Sequence, residues 1–140
     1  MLDHSLFKEN SIRGRYITLD SLTSCLSNLS QSRTQIGSSV NGIPIYAFKL
    51  GNGKNKVFMW SQMHGNESTT TKAVCDIINY LQSDEALAST ILRHCTLMVV
   101  PILNPDGALV YTRENINKVD LNRDAKNLTQ PESNALRSLF

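Results

Sequence analysis

The stretch Val57-Phe58-Met59-Trp60-Ser61-Gln62-Met63-His64-Gly65-Asn66-Glu67-Ser68 decides how the rest of the chain is read. It begins as a short apolar run of strand length and ends where Ala73, Ile77, Ile78 and Leu81 start to recur at helical spacing. The loop between, Gln62 to Glu67, therefore lies just beyond the carboxyl end of a strand, where open α/β sheets hold their ligands. His64 and Glu67 read as two ligands of a catalytic zinc ion. Imidazole nitrogen and carboxylate oxygen are ordinary zinc ligands, and a catalytic site uses three protein ligands with one position left open. Gly65 is expected to let the backbone turn tightly between the two side chains. The H-x-x-E spacing alone describes a plain strand-to-helix loop equally well.

Working outward, Lys56 to Gln62 is apolar on both faces, as expected of a central strand. Helices are predicted from Ser68 to Leu81 and from Asp84 to Arg93, followed by a second buried strand, Thr96 to Leu103. A helical crossover of that length makes the two strands parallel. Parallel strands share a carboxyl edge, so Asn104-Pro105-Asp106-Gly107 should emerge on the same rim as His64. His94 precedes its strand and belongs at the other end of the sheet, roughly 20 Å away. With His4 in the amino-terminal lead-in, neither histidine is a candidate ligand.

Upstream, Thr34 to Val40 and Ile43 to Leu50 flank Asn41-Gly42, which predicts an antiparallel hairpin with a two-residue turn at one sheet edge. Arg15 to Thr18 reads as a short extended piece, and a helix should run from Asp20 or Ser21 to about Leu29. The expected fold is a single α/β domain with a mixed, largely parallel central sheet flanked by helices. Residues 1–33 form a helical lead-in and 34–140 begin the α/β core.

Composition removes several function classes. Fourteen Lys plus Arg stand against twelve Asp plus Glu, and no run of like charge exceeds a dipeptide, so neither a nucleic-acid footprint nor a membrane-surface patch is expected. The longest apolar stretch, Leu97 to Leu103, is too short to span a bilayer. Met1 to Asn10 carries acidic residues and does not read as a secretory signal. Cys25, Cys75 and Cys95 are odd in number and widely spaced, which suits reduced, buried thiols in a cytoplasmic protein.

A second informative stretch follows. Asn104-Pro105-Asp106-Gly107, Arg113 and Val119-Asp120-Leu121-Asn122-Arg123, together with His64-Gly65-Asn66-Glu67, resemble the ordered motifs of the zinc metallocarboxypeptidases of the carboxypeptidase A-like family. Ile36 to Ile45 is also similar to that family's opening strand pair, and the resemblance extends from Ile36 to Asp124. It implies zinc ligation by His64 and Glu67. It implies that Arg113 polarises the scissile carbonyl and steadies the oxyanion, and that Asn122 and Arg123 hold the substrate's terminal carboxylate. A guanidinium fork suits both tasks, since it binds a carboxylate bidentately and stays charged. Without the resemblance, Arg113 and Arg123 would read as surface arginines, Asn104 to Gly107 as a turn, and Asp120 as a carboxylate orienting a neighbouring arginine.

The resemblance thus implies hydrolysis of the C-terminal peptide bond of a substrate with a free terminal carboxylate, through a zinc-bound water. Two alternatives stand beside it: a non-catalytic peptide- or carboxylate-binding module, and a related zinc amidase or esterase acting on a non-peptide amide. The family's third zinc ligand, a histidine, and its general-base glutamate lie well downstream of the Asn-Arg pair, and Asp124 to Phe140 offers no counterpart. Asp124 stands where many members have asparagine, and a carboxylate beside Arg123 is expected to weaken binding of an anionic terminus or to alter specificity. Thr129 and Glu132 have capping-box spacing, so a helix should begin near Gln130, with Leu136, Leu139 and Phe140 starting an apolar stripe. The expectation is therefore the truncated amino-terminal part of a longer catalytic domain, inactive alone and prone to self-association through exposed apolar surface.

Overall fold

A computed structural model describes residues 3–140; Met1 and Leu2, part of the stretch read for a leader, lie outside the described residues. Four strands form one sheet: β1 (Arg33–Ser38), β2 (Pro44–Leu50), β3 (Asn55–Trp60) and β4 (Cys95–Val100), in the order β1-β2-β4-β3. The sheet is mixed and helix-flanked, as the sequence predicts, but it is not largely parallel. β1 pairs antiparallel with β2 and β2 antiparallel with β4, while β3 and β4 run parallel. Short turns reverse the chain after β1 and after β2. Only the passage from β3 to β4, through α2 (Thr69–Leu81) and α3 (Ala86–His94), is a helical crossover.

Two further expectations change. β3 stands at an edge rather than in the middle, with Val57 and Trp60 36% and 44% exposed, and among the described residues only β4 pairs with it. The hairpin turn holds three residues, Val40 to Gly42. Ser39 N–H donates to Ile43 O at 2.8 Å and Gly42 N–H to Ser39 O at 2.9 Å. Gly42 has φ +80° but Asn41 does not share a positive φ, which a two-residue turn of the Asn-Gly type would need.

The lead-in is a string of short helical turns, 3-10 at Asp20–Leu22 and Ser27–Ser32 around α1 (Thr23–Leu26), where one helix was expected. Its Leu22 and Cys25 pack with Ile17, Cys75 of α2 and Ile102. On one face of the sheet Ile45, Ala47 and Val100 pack with Leu121 and with Ala135 of α6 (Pro131–Arg137). α6 presses so close on the β1 bulge that a Cβ on Gly37 would come 2.6 Å from that of Ala135. Its expected capping box does not form. Gln130 is the N-cap, and buried Glu132 instead accepts from Val40 N–H at 3.2 Å and from Asn115 Nδ2 at 3.1 Å. Among the described residues no helix is long and apolar enough to cross a membrane.

Candidate metal centre and active site

The parallel pair delivers two loops to one rim. Beyond β3, Ser61 N–H donates to Val100 O at 3.0 Å, and Leu103 and Asn104 N–H return bonds to Ser61 O and Gln62 O at 3.1 Å each. Gln62 then turns the chain with φ +48°. Its buried amide donates to Gly65 O and Ile17 O, both at 2.8 Å, and accepts from Thr71 Oγ1 at 2.8 Å, fixing the loop to lead-in and helix together. Asn104 caps α4 (Pro105–Val110) by accepting from Gly107 N–H at 2.8 Å, so this motif is a helix start rather than a free turn. Gly65 is required for a different reason from the expected turn. A Cβ there would lie 2.0 Å from the carbonyl carbon of Gly107, so backbone meets backbone where the loop crosses the first turn of α4.

His64, Glu67, Arg113 and Asp120 close into one ring of contacts. His64 Nδ1 lies 3.1 Å from Glu67 Oε2, and its Nε2 contacts Asp120 Oδ1 at 3.0 Å. Arg113 completes the circuit, Nε to Asp120 Oδ2 and Nη1 to Glu67 Oε1, both at 3.1 Å. Asp120 itself caps α5 (Leu121–Asp124), accepting from Asn122 N–H at 2.9 Å. Burial would raise the Asp120 carboxyl, but hydrogen bonds from His64, Asn122 N–H and Arg113 outweigh it and hold the group below its ordinary value of 3.8. The sequence reading assigned Asp120 only to an arginine. In the structure it holds the histidine as well, a contact across 56 residues that no local pattern announces.

The donor set suits zinc. Two donors about 2.0–2.2 Å from one ion in tetrahedral geometry stand roughly 3.4 Å apart, a few tenths of an ångström beyond the spacing of His64 Nδ1 and Glu67 Oε2. Asp120 on Nε2 orients the ring with Nδ1 turned to Glu67, the orientation that a carboxylate-histidine-metal arrangement uses. Among the described residues no third His, Cys, Asp or Glu joins the pair in a group that could hold a metal.

Asn122 lines the same hollow, about 270 Å³, as His64, Glu67, Trp60 and Thr70, and also borders an apolar hollow of about 310 Å³ beside Leu128, Leu136 and Phe140. Arg123 is exposed on α5, one residue on, and makes no ion pair among the described residues. Asp124 points elsewhere. It is 4% exposed, and its carboxylate accepts from Thr129 N–H and Gln130 N–H at 2.9 Å each, shaping the turn into α6 rather than facing a ligand. The expected clash with an anionic terminus thus has no geometric basis. A larger hollow of about 550 Å³, between the lead-in and the β1–β2 hairpin, shares none of the metal-loop residues. His94 is exposed at the far end of the parallel pair, with Nδ1 against Thr90 O at 2.8 Å, and His4 is exposed in a 3-10 turn, so neither reaches the site.

With this geometry in place, the profile of one family, "Zinc carboxypeptidase", matches residues 18–136. The chain belongs to the zinc carboxypeptidase family. Carboxypeptidase SOL1 of Arabidopsis thaliana is 28% identical over 146 residues, covering 86% of this chain and 30% of that protein. Gamma-D-glutamyl-L-diamino acid endopeptidase 1 of Lysinibacillus sphaericus is 33% identical over 86 residues, 53% of this chain and 21% of its own length. The metallo-carboxypeptidase crystal structure from Burkholderia cenocepacia superposes with a TM-score of 0.80 at 24% identity, over 88% of this chain and 37% of that one, a likeness of fold. This zinc carboxypeptidase chain therefore spans about a third of the length of those carboxypeptidases.

Proposed function

We propose that this chain carries the metal loop, the oxyanion arginine and the carboxylate clamp of a zinc-dependent metallocarboxypeptidase. The observation that supports this reading best is the convergence of His64 Nδ1 and Glu67 Oε2 at 3.1 Å, with Arg113 reaching the same carboxylate. When bound, zinc would supply Lewis acidity and a water whose pKa is brought near neutrality. Asp120 orients His64 for that task. Arg113 places a permanent cation beside the pair, where negative charge develops on the scissile carbonyl oxygen. Asn122 and Arg123 select a substrate ending in a free carboxylate by charge-assisted hydrogen bonding.

The third ligand and the general base are proposed to lie outside these 140 residues, in keeping with relatives about three times longer, so the chain by itself should hydrolyse nothing. The substrate is a peptide, and nucleic acid and membrane play no part in this reading. A cytoplasmic setting belongs to the same proposal and is supported by three free thiols, Cys25, Cys75 and Cys95. One relative, named a gamma-D-glutamyl-L-diamino acid endopeptidase, favours a second reading as a zinc amidase acting on a non-α peptide bond.

The test is zinc-dependent hydrolysis by the full-length protein of paired peptides with free and amidated C-termini. Release of one terminal residue from the free peptide alone supports the carboxypeptidase. Equal cleavage of both, or cleavage only of γ-linked amides, moves the assignment to the amidase. Peptide binding without hydrolysis moves it to a binding module.

A further inference from the structure

The flank of the metal loop away from Asn122 carries a cluster that the chemistry above does not use. Ser68 and Thr70 sit two positions apart at the start of α2 and so face opposite ways. Thr70 lines the hollow shared with Asn122, whereas Ser68 Oγ donates to Arg15 O at 2.7 Å. Arg15 is thereby anchored one residue from Glu67. Tyr111, two residues before Arg113, closes α4 in the left-handed region at φ +55°, a conformation that a bulky side chain rarely adopts.

These three side chains form one exposed surface. The rings of Tyr16 and Tyr111 meet edge to face, 4.6 Å between centroids at 61°. The Arg15 guanidinium carbon lies 5.1 Å from the Tyr16 centroid and 5.4 Å from that of Tyr111, and Nη2 donates to Tyr16 Oη at 2.9 Å. Tyr16 remains 60% exposed, and among the described residues Arg15 has no carboxylate partner. A guanidinium near both rings, with one N–H held by Tyr16 Oη, keeps other N–H groups for an incoming anion.

We propose that Arg15, Tyr16 and Tyr111 form a subsite for the substrate segment N-terminal to the scissile bond and that it selects an acidic side chain there. The proposal rests on the carboxypeptidase reading for its direction. With the terminal carboxylate at Asn122 and the scissile carbonyl before Arg113, the preceding residues leave across Tyr111 and Arg15. An extended peptide advances about 3.4 Å per residue, so the three residues before the cleaved bond reach about 10 Å across this flank. The tyrosine faces bind any backbone or apolar stem, and the arginine supplies the preference for charge.

The test is calorimetric binding, to the zinc-loaded full-length protein, of peptides with Glu or Gln at each of the three positions preceding the scissile bond. The free terminal amino acid serves as a control that spans the clamp alone. At one position Glu should bind roughly three- to tenfold tighter than Gln, less so as salt rises. Arg15→Gln should erase that ratio, Arg15→Lys should keep part of it, and Tyr16→Ala should weaken both peptides; none should alter binding of the amino acid. A ratio near one at all three positions, a ratio unchanged in Arg15→Gln, or no peptide binding overturns the subsite. A Glu preference lost in Arg15→Gln, but without zinc-dependent hydrolysis, would retire the peptidase reading and leave the subsite standing.

Discussion

Single residues set the chemistry, and two aspartates do unlike work within five positions. Asp120 ties His64 and Arg113 together, so Asp120→Asn should leave the fold intact and lower zinc affinity roughly 10- to 100-fold in a competition titration with a chromophoric chelator. Asp124 works for stability. Burial raises its carboxyl, but the Thr129 side chain and the Thr129 and Gln130 N–H groups more than offset this, bringing it to about 2 from an ordinary 3.8. The folded-state value is the depressed one, so the contribution is present above pH ~4 and is lost as pH falls towards 2, about 2 kcal/mol in all. Asp124→Ala should lower stability by that order at pH 7 and flatten the acid limb of a urea-stability profile. An unchanged acid limb would contradict the assignment. That His64 and Glu67 would lie together beyond a strand end was legible from their spacing, whereas the partners of Asp120 and Asp124 appear only once distant segments meet.

At the scale of elements, the site's shape depends on the loop after β3 crossing the first turn of α4 with no side chain between them. Gly65→Ala should push the metal loop off Gly107, destabilise the fold by roughly 1–3 kcal/mol in a denaturant titration and weaken zinc binding along with it. Full stability and full affinity in that variant would show that the crossing is loose. Helical spacing correctly placed α2 and α3, because each has one face buried and one wet, whereas the start of α6 was read from a capping box that does not form. The lead-in and the hairpin were less legible. Leu22, Leu26 and Leu29 keep apolar spacing through 3-10 turns and α-helix alike, and Asn41-Gly42 suits a three-residue loop as well as a two-residue one.

For the whole molecule, an apolar reading of β3 suggested a central strand, yet these residues place it at the edge. Periodicity reports which faces are apolar, not how many neighbours a strand has. An edge with Val57 and Trp60 exposed beside Phe58 and Phe140 is the surface on which we propose that the chain self-associates. Size-exclusion chromatography at rising concentration should therefore show self-association of the 140-residue chain, reduced by Val57→Lys. A monomer at every concentration would contradict it. The fold family was legible chiefly from the order of four motifs, which composition and periodicity alone do not supply.

The central claim is that His64 offers Nδ1 to zinc while Nε2–H stays on Asp120. Long-range proton–nitrogen correlation spectra of the histidine rings, with His64 identified by loss of its signals in His64→Gln, read both nitrogens at once. Added zinc should shift Nδ1 of His64 to a metal-bound value, keep the proton on Nε2 and leave His4 and His94 unchanged. A His64 ring indifferent to zinc, or bound through Nε2, would contradict the account.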